Sequence, residues 1–149
     1  MKKKYIIIAL LLWLLIVLGI AGWKLMTDYS RILDANWGLS LPQKAGCEQV
    51  YAQDDSGTHG DGLRFHAFSY DEEQSIQTML EWHDDVKTLY HESCKQAVSS
   101  WLDALAVPSV QRPDYESSRY WYQSQSDNSE LIILWDDDKD LLYIVESFI

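Results

Sequence analysis

The stretch Glu130–Phe148, ELIILWDDDKDLLYIVESF, decides the fold class. Two apolar runs, Leu131–Trp135 and Leu141–Val145, flank the acidic cluster Asp136-Asp137-Asp138-Lys139-Asp140. Aspartate forms turns readily, and apolar runs this short suit strands better than helices. The spacing predicts a hairpin of two strands, Glu130–Trp135 and Leu141–Phe148. Successive side chains of a strand point to opposite faces, so Leu131 and Ile132, or Ile144 and Val145, cannot share one side. Both strands therefore read as central ones, covered on both faces.

Working outward, Arg119–Gln125 reads as a further strand, joined to the hairpin through Asp127-Asn128-Ser129. Upstream lies a helical ladder in which Tyr90, Cys94, Ala97, Val98, Trp101, Leu102 and Leu105 recur at i, i+3, i+4 spacing. It ends near Ala106, before Pro108 and Pro113. A shorter helix precedes it, with acids at Asp71-Glu72-Glu73 and an apolar stripe of Ile76, Met79 and Leu80. Before that, Cys47–Gln53 and Leu63–Tyr70 read as strands joined by the turn-rich DDSGTHGDG of Asp54–Gly62. Along the second of these, Leu63, Phe65 and Ala67 alternate with Arg64, His66 and Phe68. The order is ββ-αα-βββ, an α+β domain with a mostly antiparallel sheet and helices on one face.

At the N-terminus Lys2, Lys3 and Lys4 precede an uncharged apolar run, Tyr5–Trp23. At ~1.5 Å per residue a helix of this length spans about 29 Å, close to the hydrocarbon core of a bilayer. The run reads as a transmembrane helix over 5–23, after a cytoplasmic flank at 1–4 and before a stalk at 24–45. The α+β domain, 46–149, would then lie outside the cell membrane on a single-pass signal-anchor, with lipid as a partner of Tyr5–Trp23. A competing reading is a cleaved signal peptide, with Gly19-Ile20-Ala21 before the cut.

Twelve basic residues face 23 acidic ones in the whole chain. The part beyond Tyr5 carries nine basic and all 23 acidic residues, a formal −14. Such a surface argues against nucleic acid as a partner, because binding it requires a basic face. It suits a basic partner or cations, and acidity also keeps a domain in solution.

The loop His59-Gly60-Asp61-Gly62 is the most distinctive local feature. Its glycines permit left-handed backbone and Asp61 can bond neighbouring amides, which explains a tight hairpin. A functional reading adds His59, Asp61 and His66 as zinc ligands, although zinc motifs usually have tighter helical spacing. The cluster Asp136–Asp140 resembles the start of a calcium loop, but lacks the glycine at its sixth position and has Ser147 where a bidentate Glu belongs. The expectation is accordingly no cofactor, with zinc and calcium kept as alternatives. Cys47 and Cys94 are read as unpaired, with Cys94 packing as a small hydrophobe; a disulfide between them is the competing reading. Tyr120, Trp121 and Tyr122 are the cluster that would present an aromatic outward, as glycan-binding surfaces do. No nucleophile elbow, P-loop or Cys-x-x-Cys occurs, and His91-Glu92 has Lys95 where a zinc-protease helix needs its second histidine.

The lead-in Leu39 to Pro42, the strand end Tyr51 to Asp55, the His59-Gly60-Asp61-Gly62 loop and the paired strands Ile132 to Tyr143 resemble small, uncharacterised membrane-anchored or secreted proteins of Firmicutes. Thr58 stands where those proteins often carry an aromatic. The resemblance implies a similar fold and location, and no activity or catalytic residue. The anchor, the missing enzyme motifs and the small size of the domain set the leading expectation, a non-catalytic protein-binding or accessory domain whose partner is another envelope protein. Metal binding at His59, Asp61 and His66, or glycan binding at Trp121, are the alternatives.

Overall fold

The computed structural model describes Trp13 and residues 29–57, 61–83 and 89–149. The chain divides into two compact units, Met1–Leu41 and Pro42–Ile149.

In the first unit, helix α1 (Tyr29–Trp37) buries Tyr29, Leu33 and Trp37. These residues recur every fourth position and so share one stripe. The helix stops at Gly38, which donates its N–H to the Asp34 carbonyl at 2.8 Å and sits at φ 70°. That left-handed C-terminal residue is where glycine pays no steric penalty.

Among the described residues no helix is long and apolar enough to cross a membrane. This finding overturns the transmembrane, single-pass and signal-anchor reading of Tyr5–Trp23, and with it the membrane-anchored, extracytoplasmic placement of the domain. The nearest described helix, α1, has nine residues. It is about 13 Å long against the ~30 Å of a hydrocarbon core, and it carries Arg31, Asp34 and Asn36. Apart from Trp13, residues 5–23 lie outside the described residues.

The second unit is built on a five-stranded antiparallel sheet, ordered β1-β2-β5-β4-β3. Its strands are β1 (Glu48–Asp54), β2 (Gly62–Ser69), β3 (Arg119–Ser124), β4 (Glu130–Asp136) and β5 (Leu141–Phe148). The helices are α2 (Glu73–Gln77) and α3 (Leu89–Ala104). The β4–β5 hairpin pairs Asp136 with Leu141 and Ile133 with Ile144, so the two apolar runs stand side by side near the middle of the sheet. Its turn is closed by Asp136, which accepts from the Lys139 amide at 3.2 Å and its ammonium at 2.7 Å. The β3–β4 turn places Asn128 at φ 69°, with Asp127 Oδ1 accepting from the Ser129 amide at 2.9 Å. Asparagine tolerates that left-handed backbone better than most side chains.

Alternation gives the sheet two faces. On the first, Phe65, Ala67, Tyr120, Ile132, Leu134, Tyr143 and Val145 meet Cys94, Val98 and Leu102 of α3, and Leu105 just past its end, in one core cluster. The second face is just as dry: Leu131, Ile133, Trp135, Leu142 and Ile144 are all buried to 0% exposure. The segment following β2 packs against it through Trp82, whose ring lies 5.3 Å from that of Trp135. The Trp82 indole N–H donates to the Ile76 carbonyl at 2.9 Å, and the Trp135 indole N–H donates to the Tyr70 hydroxyl at 2.6 Å. The second face is therefore covered as well, through Trp82 of the segment that follows β2. A sheet whose two central strands are apolar on both sides needs cover on both.

Helix α2 is shorter than its apolar stripe suggests: Ile76 is buried, whereas Met79 and Leu80 fall in the turn after Gln77. Helix α3 closes through Ala106 at φ 54°, with the Val107 amide donating to the Leu102 carbonyl at 3.0 Å. Arg112 then reaches back to the carbonyls of Val107 (2.9 Å) and Leu102 (3.2 Å) and pairs with Asp103 at 2.5 Å. The bond to Leu102 adds a partner for one of the carbonyls that a helix end leaves without an intrahelical donor.

Candidate functional site

The residues singled out in the sequence fall in separate places. His59 and Gly60 lie outside the described residues. Asp61 is exposed, and its carbonyl accepts from the Gly57 amide at 3.0 Å as part of the β1–β2 hairpin. Gly62 opens β2 at φ 137°, where an added Cβ would lie 2.6 Å from the Asp55 carbonyl oxygen. That position admits only glycine without strain.

His66 lies four residues further along β2, on the second face, so about 13 Å of strand separates its Cα from that of Gly62. A metal ion holds its donor atoms within ~2.2 Å, and the structure does not bring Asp61 and His66 to such a shared point. His66 instead places Nδ1 3.0 Å from Gln49 Oε1 and is 9% exposed. Burial, assisted by the Arg64 guanidinium and opposed by Asp54, pulls its pKa down to about 4. It is a neutral imidazole at neutral pH. Among the described residues no three His, Cys, Asp or Glu side chains gather as a group able to hold a metal ion. In the acidic turn, Asp136 is engaged by Lys139 and Asp137 by Arg119 at 3.5 Å.

The aromatic triplet is split by strand alternation. Tyr120 is buried to 3% in the first-face core, Tyr122 is half-buried on the same side, and Trp121 is half-buried on the opposite face. The three do not form one platform.

Cys47 and Cys94 are both free thiols, the first half-buried and the second buried on α3. Burial, reinforced by the Glu130 carboxylate, raises the Cys94 pKa to about 11. Burial and then Asp71 raise that of Cys47. At pH 8 only about one Cys94 in a thousand is thiolate. We expect a thiol-disulfide reagent at that pH to titrate both cysteines, with Cys94 the slower by about tenfold or more. Cys94→Ser should delete the slow phase alone. A single fast phase of two thiols, or none, would contradict this arrangement.

Cys94 also lines a concavity between α3 and the sheet, which sequence reasoning missed. Ser93, Cys94 and Ala97 of α3 meet Tyr122 of β3 and Glu130 and Ile132 of β4 around a half-open, mainly apolar pocket of ≈120 Å³. The Tyr122 hydroxyl donates to Glu130 Oε1 at 2.9 Å. Sheet pairing builds this site: Tyr122 stands opposite Ile132 and Ser124 opposite Glu130, so alternation sends Tyr122, Glu130 and Ile132 to the α3 side. No motif spacing announces it, because its residues come from three elements.

The sheet's two edges differ. At β3, the His83 amide donates to the Tyr120 carbonyl at 2.9 Å and the Tyr120 amide to the His83 carbonyl at 3.0 Å. Along β1 every residue is exposed except the half-buried Tyr51, and Val50, set off by a bulge, is 51% exposed. The Asp55 amide donates inward to the Leu63 carbonyl at 2.9 Å and sets the phase of the ladder. In an antiparallel pair, inward and outward bonding alternate along the strand. Gln53 therefore bonds inward, and the backbone groups of Ala52 and Asp54 point outward.

No family model, curated protein or solved structure matches the chain, so no residue role is carried in from a relative.

Proposed function

We propose that the Pro42–Ile149 unit is a non-catalytic binding module that receives an extended, basic segment of a partner protein on the edge of β1. The observation that carries this reading is that edge, which no described strand covers and whose outward backbone groups at Ala52 and Asp54 offer a ready template for another strand. The bulge at Val50 interrupts the edge, so the regular part, Tyr51–Asp54, admits a short segment. Charge selects the partner. The unit holds seven basic against 21 acidic residues, a formal −14. Arg64, Lys95, Arg112, Arg119 and Lys139 each already face a carboxylate of the same chain. A second copy of β1 would set Glu48 opposite Asp54 about a centre at Tyr51, and like charges across a ladder destabilise it.

A synthetic peptide of alternating lysine and valine is the probe. Hydrogen exchange at the Ala52 and Asp54 amides should slow when it is added, and the effect should fade with salt. Ala52→Pro removes an outward N–H that the sheet does not use, so the fold should persist while peptide affinity falls about tenfold. Equal affinity in that variant, or protection confined to other strands, would overturn the reading.

A further inference from the structure

We propose that the pocket between α3 and the β3–β4 hairpin receives a primary alkylammonium, the lysine side chain of a partner protein, with its methylenes against Ile132 and Ala97 and its ammonium on Glu130 and Tyr122. The assignment rests on the binding-module reading for the source of the lysine, and on the pocket's own geometry for the chemistry.

Size comes first. The pocket measures ≈120 Å³. An apolar cavity of ~150 Å³ accommodates benzene, with its six heavy atoms. The four terminal carbons and nitrogen of a methylene chain, five heavy atoms, match the smaller volume. The lining is mainly apolar, from Cys94, Ala97 and Ile132, and its single ionic group is Glu130.

Charge comes next. A carboxylate has about four acceptor positions, and the Tyr122 hydroxyl uses one of them on Oε1. None of the ion pairs among the described residues involves Glu130. An ammonium with three donors can bond the carboxylate and the tyrosine oxygen together. A neutral alkyl group would strip water from the carboxylate without replacing its bonds, and an anion would be repelled. A buried Cys94 thiol is a weak donor and does not compete for the same partner.

The test uses the full chain and n-butylammonium, with n-butanol as the uncharged control. Methyl resonances of Ile132 and Ala97 should shift and saturate in the millimolar range expected for so small a ligand. Butanol should bind at least about tenfold more weakly, and labelling of the Cys94 thiol should slow while that of Cys47 does not change. Glu130→Gln should abolish the preference for ammonium, and Tyr122→Phe should reduce it while leaving the carboxylate in place. Equal binding of the two probes, or unchanged preference in Glu130→Gln, would reduce the pocket to an apolar recess and overturn the proposal. If butylammonium leaves Ile132 unmoved while the lysine–valine peptide still protects Ala52 and Asp54, the pocket assignment fails and the edge reading survives. If the ammonium binds but the peptide does not, the edge reading alone fails.

Discussion

Trp135→Ala should be the most destabilising single substitution among those that leave the backbone conformation alone. Among the described residues Trp135 is the largest of the fully buried side chains. Its indole N–H bonds the Tyr70 hydroxyl at 2.6 Å, its ring meets that of Trp82 at 5.3 Å, and the Arg119 guanidinium lies 4.6 Å over it. Truncation removes those contacts, opens a cavity on the second face and orphans a buried hydroxyl. Aromatic-to-alanine changes in cores cost about 3–5 kcal/mol. For a domain of about a hundred residues each kcal/mol lowers the melting temperature by roughly 4–8 °C. Urea and thermal unfolding should thus show a fall of at least about 12 °C, or no cooperative transition. Trp135→Phe retains most of the volume and loses the indole bond with a small part of the ring packing, so its cost should stay below that of the alanine variant, near about 1–2 kcal/mol. A loss under about 1 kcal/mol for the alanine variant would mean that the second face is not packed as described.

The second large effect is a loss of stability in mild acid that depends on His66. In the unfolded chain this imidazole protonates near its ordinary 6.5, whereas in the native chain it does so near about 4. Between those values the unfolded state binds more protons, so falling pH favours unfolding. Stability is full above about pH 6.5 and is lost progressively until the native pKa is passed. A shift of this size corresponds to about 3 kcal/mol when complete. Asp54, whose carboxyl is lowered by Ser56 hydrogen bonds and by Arg64 against the cost of burial, adds a loss at still lower pH. Urea unfolding at a series of pH values should show the wild type weakening from about pH 6.5 downward. His66→Gln should remain flat until carboxylates begin to titrate. Parallel curves for the two proteins would remove His66 as the source.

The strands were legible because their signals are local. The double-sided apolar pattern of Leu131–Trp135 and Leu141–Val145 predicts central strands, and both are buried on both faces. Helix α3 was legible for the same reason, since Cys94, Val98, Leu102 and Leu105 form a stripe that any apolar surface would bury. The limits of local reading show at α2, where Ile76, Met79 and Leu80 satisfy helical spacing but the helix ends at Gln77. Trp82, five residues beyond that helix end, packs its ring 5.3 Å from Trp135. The reading of Tyr5–Trp23 rested on its apolar composition, its length and the flanking lysines. The described helix nearest to it, α1, is short and carries charges.

Candidate sites were the least legible part. His59, Asp61 and His66 looked like a group because they are close in sequence, yet β2 carries His66 away from the loop and turns it into a buried neutral side chain. Tyr120, Trp121 and Tyr122 looked like a cluster because they are consecutive, and a strand must divide consecutive residues between its faces. The pocket at Glu130 shows the opposite case. Cys94, Tyr122 and Glu130 are dispersed in sequence, and only strand register and the seat of α3 bring them together.

By itself, the sequence of this chain determined the five strands, the long helix α3 and its stop before Pro108, the central place of the β4–β5 hairpin and the acidic charge. Each follows from periodicity, turn chemistry or charge, which act within a few residues. The tertiary structure decided the strand order, which segment covers the second face, the place of β1 at the edge of the described sheet and the carboxylate-lined pocket. Those depend on which distant segments pair, a choice made by the joint burial of both sheet faces and invisible in any one segment.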